Sequence, residues 1–341
     1  MDAIVHSFVT GIQPVGSRTI SRRYNLGLSP ATIRNVMSDL EDEGYIMQPH
    51  TSAGRVPTDK GYRYFVDRLM GARNVSQLDA RLIHNGISSE SDCFDDLMAR
   101  TTELLSEITQ HASLILAPAL RGTPLKHVEF IQIRGPKILA LFVGAAGMVR
   151  EQLVVLPESI SQDDLSRVSR FVNERFEGKT LHEIRDELLL MLSEERVQYD
   201  DLFRKAVSIS AQAFADAEPG TQNGDRIYIG GQNRLFDQPE FADAAKIRQL
   251  FQALEDKQRL VEILSQCLSQ QSDVTVVIGS ENPEAFADVS IVSGTYKRQD
   301  KELGTISVIG PTRMDYSKIV SLVSYVAKLI TELLSSPERE S

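Results

Sequence analysis

Tryptophan is absent from this 341-residue chain, aromatic residues make up only 6 %, and cysteine occurs twice. Cys93 and Cys267 lie far apart and form neither a C-x-x-C pair nor a metal-ligand spacing. That excludes a disulfide framework and favours a reduced, cytoplasmic protein. Long hydrophobic runs are missing too. The most apolar stretch, Ile138 to Val149, is too short to cross a bilayer as a helix, so no membrane role is expected. Asp2 and His6 interrupt the start, and no cleavage-like segment follows, so no leader is expected. Positive charge is scarce: 37 Lys and Arg face 47 Asp and Glu, a net charge of −10. Spread evenly, that balance would exclude a nucleic-acid binder, because neutralising phosphates needs Lys and Arg.

Catalytic constellations are equally scarce. The six histidines are scattered. His127 and Glu129 share a face of a predicted strand, but nothing completes a zinc set. Gly230-Gly231 follows a strand without a phosphate-loop pattern, and no G-x-S-x-G occurs. The reading is therefore non-enzymatic, without metal or cofactor.

The charge, however, is unevenly spread. Gly16 to Met37 holds four arginines, Arg18, Arg22, Arg23 and Arg34, and no acid. Gly44 to Thr58 holds Arg55 and His50, again without an acid. A local basic footprint is what DNA binding requires. The same region reads as short helices and a hairpin. Asp2 to Thr10 has one apolar face, Ser17 is placed to cap Arg18 to Asn25, and Ser29 caps a third helix with Pro30 at its first position. The buried stripe of that helix is Ile33, Val36 or Met37, and Leu40. Tyr45 to Gln48 and Arg55 to Pro57 read as strands around a polar loop. Thr58 caps a further helix, with Tyr62, Phe65, Val66 and Leu69 at helical spacing. Helix, helix, turn, helix, strand, loop, strand is the order of a winged helix-turn-helix.

Further along, 71–90 is polar and reads as a connector. Phe94 to Leu116 reads as one long helix, and Lys126 to Ile133 and Ile138 to Leu156 as strands. Ser161 to Phe214 is helical throughout, with Thr180 and Glu183 as a capping box. Strands return at Arg226 to Ile229, Val274 to Ile278, Asp288 to Tyr296 and Gly304 to Ile309. A helix at Ala244 to Leu268 interrupts them, and one at Ser317 to Leu334 closes the pattern. An α/β sheet broken by helices suggests an inserted subdomain. The apolar cluster Leu188 to Leu192 suits packing or a dimer face better than a ligand box.

The sharpest chemistry lies in Leu28 to Met37. A recognition helix needs a capped start, one apolar face, and small or hydrogen-bonding residues on the other. Ser29, Ala31, Thr32, Arg34, Asn35 and Ser38 supply them. Arg can pair with guanine, Asn with adenine, and Thr or Ala can meet a thymine methyl. Ser17, Arg18, Arg22 and Arg23 on the preceding helix suit phosphate positioning. In the loop His50-Thr51-Ser52-Ala53-Gly54-Arg55, small residues permit close approach to DNA, and Arg55 could meet a phosphate or a minor groove. The plainer alternatives are an amphipathic helix with a solvated face and an ordinary hairpin loop.

Three stretches together carry a resemblance. Pro14 to Ser17 with Leu28 to Leu40, then Pro49 to Tyr64, then Ile309-Gly310-Pro311-Thr312-Arg313-Met314-Asp315-Tyr316 resemble the HrcA repressors and bracket nearly the whole chain. The resemblance implies a negative regulator of chaperone operons that binds an inverted-repeat operator in double-stranded DNA as a homodimer. It also implies support by the chaperonin GroEL that is lost on heat stress, and a place in the cytoplasm with the nucleoid. The implied fold class is α+β multidomain. Residues 1–72 are the winged helix-turn-helix and 73–93 a linker. Residues 94–157 and 223–336 are two parts of a GAF-like α/β domain, and 158–222 an all-helical inserted dimerising subdomain. GAF-like domains often hold small molecules, so a small-molecule-responsive regulator is the alternative. No anchoring cluster is visible for it beneath Val274 to Ile278 and Gly304 to Ile309.

One departure bears on affinity. The family pattern carries about a dozen residues ahead of the segment that begins here at Met1, leaving a first helix of roughly two and a half turns. DNA binding is expected to be weaker than for a version extended upstream, and a paired titration showing equal affinity would refute this.

Overall fold

Capped helices build the amino-terminal head. Helix α1 spans Asp2–Gly11 and α2 spans Ser17–Arg23. The cap of α2 is Gly16 rather than Ser17: Gly16 takes the extended conformation that precedes a helix, and Ser17 is already inside the first turn. Helix α3, Pro30–Asp42, starts as expected, with the Ser29 hydroxyl accepting from the Thr32 amide at 3.1 Å. Strands β1 (Ile46–Met47) and β2 (Val56–Pro57) pair antiparallel. Thr58 caps α4 (Asp59–Tyr64), accepting from the Gly61 amide at 3.1 Å. Ile4, Val15, Ile20, Ile33, Met37 and Ile46 close the core of the head. Beyond α4 the chain makes a π-helical turn, Phe65–Leu69, closed by the Met70 amide on the Phe65 carbonyl. A π turn slips the register by one residue, so Leu69 faces solvent although regular α spacing points it inward.

The structure, a computed structural model, describes residues 1–51, 53–71, 73–88, 94–117, 124–144, 149–156, 159–193, 209–210, 226–241, 243–268, 272–298 and 301–335. Cys93 and most of the carboxy-terminal third of the expected helical insertion lie outside them. The expected connector carries a helix, α5 (Gln77–Ser88), anchored by Ile83 and Ile87. Two buried residues at i and i+4 hold it, and its polar composition conceals them. The expected long helix ends early: α6 is Phe94–Thr109, Gln110 turns at φ 60, and β3 follows at Ala112–Ala117. All six residues of β3 are buried. A continuous apolar run cannot be assigned to helix or strand by periodicity alone.

Strand β3 lies inside a five-stranded antiparallel sheet of order β7-β3-β10-β9-β8. Here β7 is Arg226–Gly230, β8 Val274–Ile278, β9 Val289–Arg298 and β10 Lys301–Pro311. Side chains alternate across the sheet. Ala112, Leu114 and Leu116 face a layer formed by α9 (Ala244–Glu255) and α10 (Lys257–Leu268), with Leu250, Leu254 and Leu264. Asp256 splits these two helices where one was expected. Ile115 and Ala117 face α6 and the last helix, α11 (Tyr316–Ser335), with Leu97, Leu322 and Val326.

The chain between β3 and β7 starts with the strands expected within 126–156, and the described residues 159–193 of the expected helical insertion follow with helices and no strand. It carries a three-stranded antiparallel sheet, β4 (Leu125–Arg134), β5 (Lys137–Gly144) and β6 (Val149–Val155). Helices α7 (Gln162–Phe176) and α8 (Leu181–Ser193) follow. One face of the sheet packs Val128, Phe130, Phe142 and Val154 into a core with Val168, Val172 and Leu188. The outer edge of β4 would expose backbone donors and acceptors. Side chains of α7 satisfy several of them: Asn173 bonds both the amide and the carbonyl of Val128 (2.7 and 2.9 Å), and Ser169 accepts from the Phe130 amide at 2.9 Å. The sequence pattern does not show that these helices pack on the strands. The Thr180–Glu183 capping box forms as expected. Among the described residues no helix is long and apolar enough to cross a membrane.

His111, just before β3, is buried against Gly310 and lacks a partner at Nδ1. Burial, and then the Arg313 guanidinium, lowers its imidazole from 6.5 to about 4. A base depressed in the folded state contributes stability that is present above its unfolded pKa and fades as pH falls from there toward the folded value. Going from about pH 7 to about pH 5 should therefore cost about 2 kcal/mol through this residue. Urea unfolding at both pH values checks it, and in His111→Gln the difference should shrink by that amount.

Candidate nucleic-acid interface

Most of the α3 residues expected to read DNA lie at the surface of the head. On α3, Ile33 and Met37 are buried, while Ala31, Thr32, Arg34, Asn35 and Ser38 are exposed. Ser29 is exposed but engaged: its hydroxyl holds the Thr32 amide and lies 2.9 Å from the Thr32 hydroxyl. Val36, one turn beyond Thr32, is 47 % exposed. Sequence periodicity left Val36 and Met37 as alternatives for the core, and Met37 takes the place. Val36 thus joins the outer face, where a β-branched side chain is suited to a thymine methyl.

Arg18, Arg22 and Arg23 on α2 and Arg34 on α3 are exposed, and none makes an ion pair among the described residues. Their charge is available to an anionic partner. Ser17 is half-buried in the first turn of α2. The turn from α2 to α3 is tied by Ser21, which donates to the Leu28 carbonyl at 3.4 Å.

The loop between β1 and β2 divides. His50 and Thr51 are exposed; Ser52 lies outside the described residues. Gly54 and Arg55 serve the fold. The Arg55 amide and carbonyl bridge those of Val15 (2.9 and 2.8 Å), tying the loop to the chain ahead of α2. A Cβ on Gly54 would lie 2.6 Å from the Val15 carbonyl. The Arg55 guanidinium donates from Nε to Glu41 of α3 at 2.8 Å and pairs with it again through Nη2 at 2.6 Å. Arg55 is a brace between loop and helix, and its positive charge is largely spent internally. Gln48, which no sequence pattern marked, closes the loop by donating to the carbonyls of Thr51 and Ala53 (2.9 and 3.0 Å). Among the described residues no group of His, Cys, Asp and Glu could hold a metal ion.

The surface therefore offers an exposed helix face with hydrogen-bonding and apolar groups beside a helix bearing unpaired arginines, a set of groups that can meet a polyanion. Comparison with known proteins gives the class. The chain is 38 % identical over 335 residues to the heat-inducible transcription repressor HrcA of Geobacter sulfurreducens, covering 98 % of this chain and 96 % of that one. It is 37 % identical over 338 residues to the repressor of the same name from Syntrophobacter fumaroxidans, covering 99 % and 96 %. Residues 95–320 match the model of the HrcA protein C terminal domain. A crystal structure of a hypothetical protein at 2.2 Å resolution shares the fold, with a TM-score of 0.64 at 21 % identity over 98 % of this chain and 96 % of that one. The relatives are transcription repressors, a class whose task implies DNA binding. The chain belongs to the HrcA family of heat-inducible transcription repressors.

The close approach at Gly54 gives a direct check of the loop geometry. Gly54→Ala should destabilise the protein by about 2 kcal/mol through overpacking against the Val15 backbone. Chemical unfolding measures it, and an unchanged midpoint would contradict the described loop.

Proposed function

We propose that this chain represses chaperone operons by binding an inverted-repeat operator as a homodimer. On this reading the head is a winged helix-turn-helix, with α3 in the major groove and the β1–β2 loop as the wing. Arg34, Asn35, Thr32 and Val36 read bases, and Arg18, Arg22 and Arg23 hold phosphates. The carrying observation is the conjunction at α2 and α3: four exposed, unpaired arginines beside a polar helix face, in a chain whose net charge is −10. The five-stranded domain is GAF-like, and the inserted lobe is the dimerising part. The outer face of its sheet supports that assignment: Ile131, Ile133, Leu153 and Val155 are exposed there, and an apolar sheet face of this kind marks an interaction surface. Kinship with repressors named heat-inducible supports control by heat stress. Chaperonin GroEL supports the folded repressor, and the operon opens when unfolded clients occupy it.

The small-molecule-responsive alternative finds less support. A cleft between β9 and α11 encloses about 210 Å³. It is lined by Asp273, Thr295, Lys297, Ser324, Lys328 and Thr331, and it is smaller than ordinary ligand pockets.

The test is a DNA titration with the inverted repeat of a chaperone operon and a scrambled duplex at matched salt, with and without chaperonin. Operator-selective binding enhanced by chaperonin is expected. Arg34→Ala should lose about 1–3 kcal/mol of discrimination at one base pair, and Arg22→Ala should weaken both duplexes alike and reduce the salt slope by about 1. Binding that ignores sequence even with chaperonin present would overturn the reading.

A further inference from the structure

The carboxy-terminal stretch Ile309–Tyr316, which DNA reading leaves without a task, lies against the amino-terminal head. Arg313, only 9 % exposed, pairs with Glu240 and donates from Nη1 to the Val9 carbonyl near the end of α1 at 3.0 Å. Asp315 pairs with Arg73, just past the head, at 3.3 Å. The Tyr316 ring packs on Tyr62 of α4 with centroids 5.7 Å apart, and its hydroxyl is fixed by Ser290 and the Thr312 carbonyl, both at 2.7 Å.

A second turn grips the same helix. Arg63 donates from Nε to Glu281 at 2.8 Å and from Nη2 to the Val276 carbonyl at 2.6 Å. Glu281 also accepts from the Ile278 amide at 2.8 Å, and Asp59 accepts from the Ser280 amide at 2.9 Å. Gly279 turns at φ 49 directly over the Asp59 carboxylate, where a side chain would collide with it. On its other side α4 meets the reading apparatus. Thr58 donates to the Gly44 carbonyl at 2.7 Å, Lys60 to the Glu43 carbonyl at 2.8 Å, and Gly61 lies so close to the Tyr45 carbonyl that a Cβ would overlap it. Helix α4 is therefore bonded on one side to the end of α3 and the ribbon, and on the other to the five-stranded domain.

We infer that α4 positions the reading head for operator recognition, with Arg63 and Asp59 locking it on the 278–281 turn so that a dimer accepts one spacing of half-sites. The inference rests on the reading of the head as a dimeric inverted-repeat binder. A head on a loose tether would find its half-site at any spacing within reach, whereas a locked head makes both contacts only where the DNA repeat presents them. Arg63 touches no base or phosphate in this account; it acts through the helix it holds.

The experiment uses full-length protein and four kinds of duplex at one salt concentration: the best-bound inverted repeat, the same half-sites with the spacer lengthened or shortened by a few base pairs, a single half-site, and a scrambled sequence. Wild type should lose about tenfold or more when the spacing is changed. Arg63→Glu should bind the best repeat more weakly, lose the spacing dependence, and keep its half-site affinity within about twofold. Arg63→Lys, which retains the pairing charge, should restore most of the spacing dependence. Glu281→Gln provides a milder loosening should Arg63→Glu not fold. Spacing profiles of Arg63→Glu or Glu281→Gln that coincide with wild type would overturn the inference, as would equal losses on repeat and half-site. Wild type that prefers no repeat over scrambled DNA would instead overturn the functional reading beneath it, and that result needs no variant.

Discussion

Strand β3 is buried on both faces, and the arrangement of the molecule depends on that. Six apolar or small residues in a row, Ala112 to Ala117, leave no side that can face water. Helices must cover the sheet above and below, which α9 and α10 do on one face and α6 and α11 on the other. Each large side chain buried there contributes about 1.5–3 kcal/mol, and β3 joins the edge strand β7 to the central strand β10. Both neighbours of β3, β7 and β10, arrive from far along the chain. Strands β4 to β6 with α7 and α8 lie between β3 and β7 in the chain. Where β10 ends, the 311–316 turn emerges against the head. A sheet with both faces covered is thus also the platform on which the amino-terminal head is mounted.

Electrostatics is divided the same way. The chain as a whole is acidic, and the molecule disposes of several positive charges internally. Arg55 is spent on Glu41, Arg63 on Glu281 and Arg313 on Glu240. Burial works to raise the Glu281 carboxyl, but hydrogen bonds from Arg63 and the Ile278 amide outweigh it and hold that carboxyl below its usual range. The arginines of α2 and Arg34 have no such carboxylate. What distinguishes a bracing arginine from an unpaired one here is the carboxylate partner, which sequence composition does not reveal.

Much of the head was legible because local chemistry determines it. Ser29 with Pro30 and Thr58 before α4 announce their helices, and the run of small and polar residues on α3 announces its exposed face. The unreadable parts depend on distant partners. β3 looks like a continuation of α6 until β10 and β7 flank it. Ile83 and Ile87 make a helix out of a polar stretch only because a core lies beneath them. Arg55 looks like a phosphate ligand until the fold brings it to Glu41, fourteen positions back. The choice between Val36 and Met37 is a matter of helix rotation, which the packing of Ile20 and Ile46 around α3 decides. The helical stretch after β6 was visible as a change of pattern, but its packing depends on the pairing of β4 with β5 and on the side chains of α7.

The central claim is that this acidic repressor binds DNA through a small set of arginines left unpaired by the fold. Arginine modification read by mass spectrometry, on the full chain with and without an operator duplex, tests it most directly. Without DNA, Arg18, Arg22, Arg23 and Arg34 should react quickly and Arg55, Arg63 and Arg313 slowly, because the latter are held by carboxylates. With DNA, the first four should become several-fold slower and the other three should not change. Undiminished reactivity of the four on binding, or protection centred on the five-stranded domain, would contradict the account.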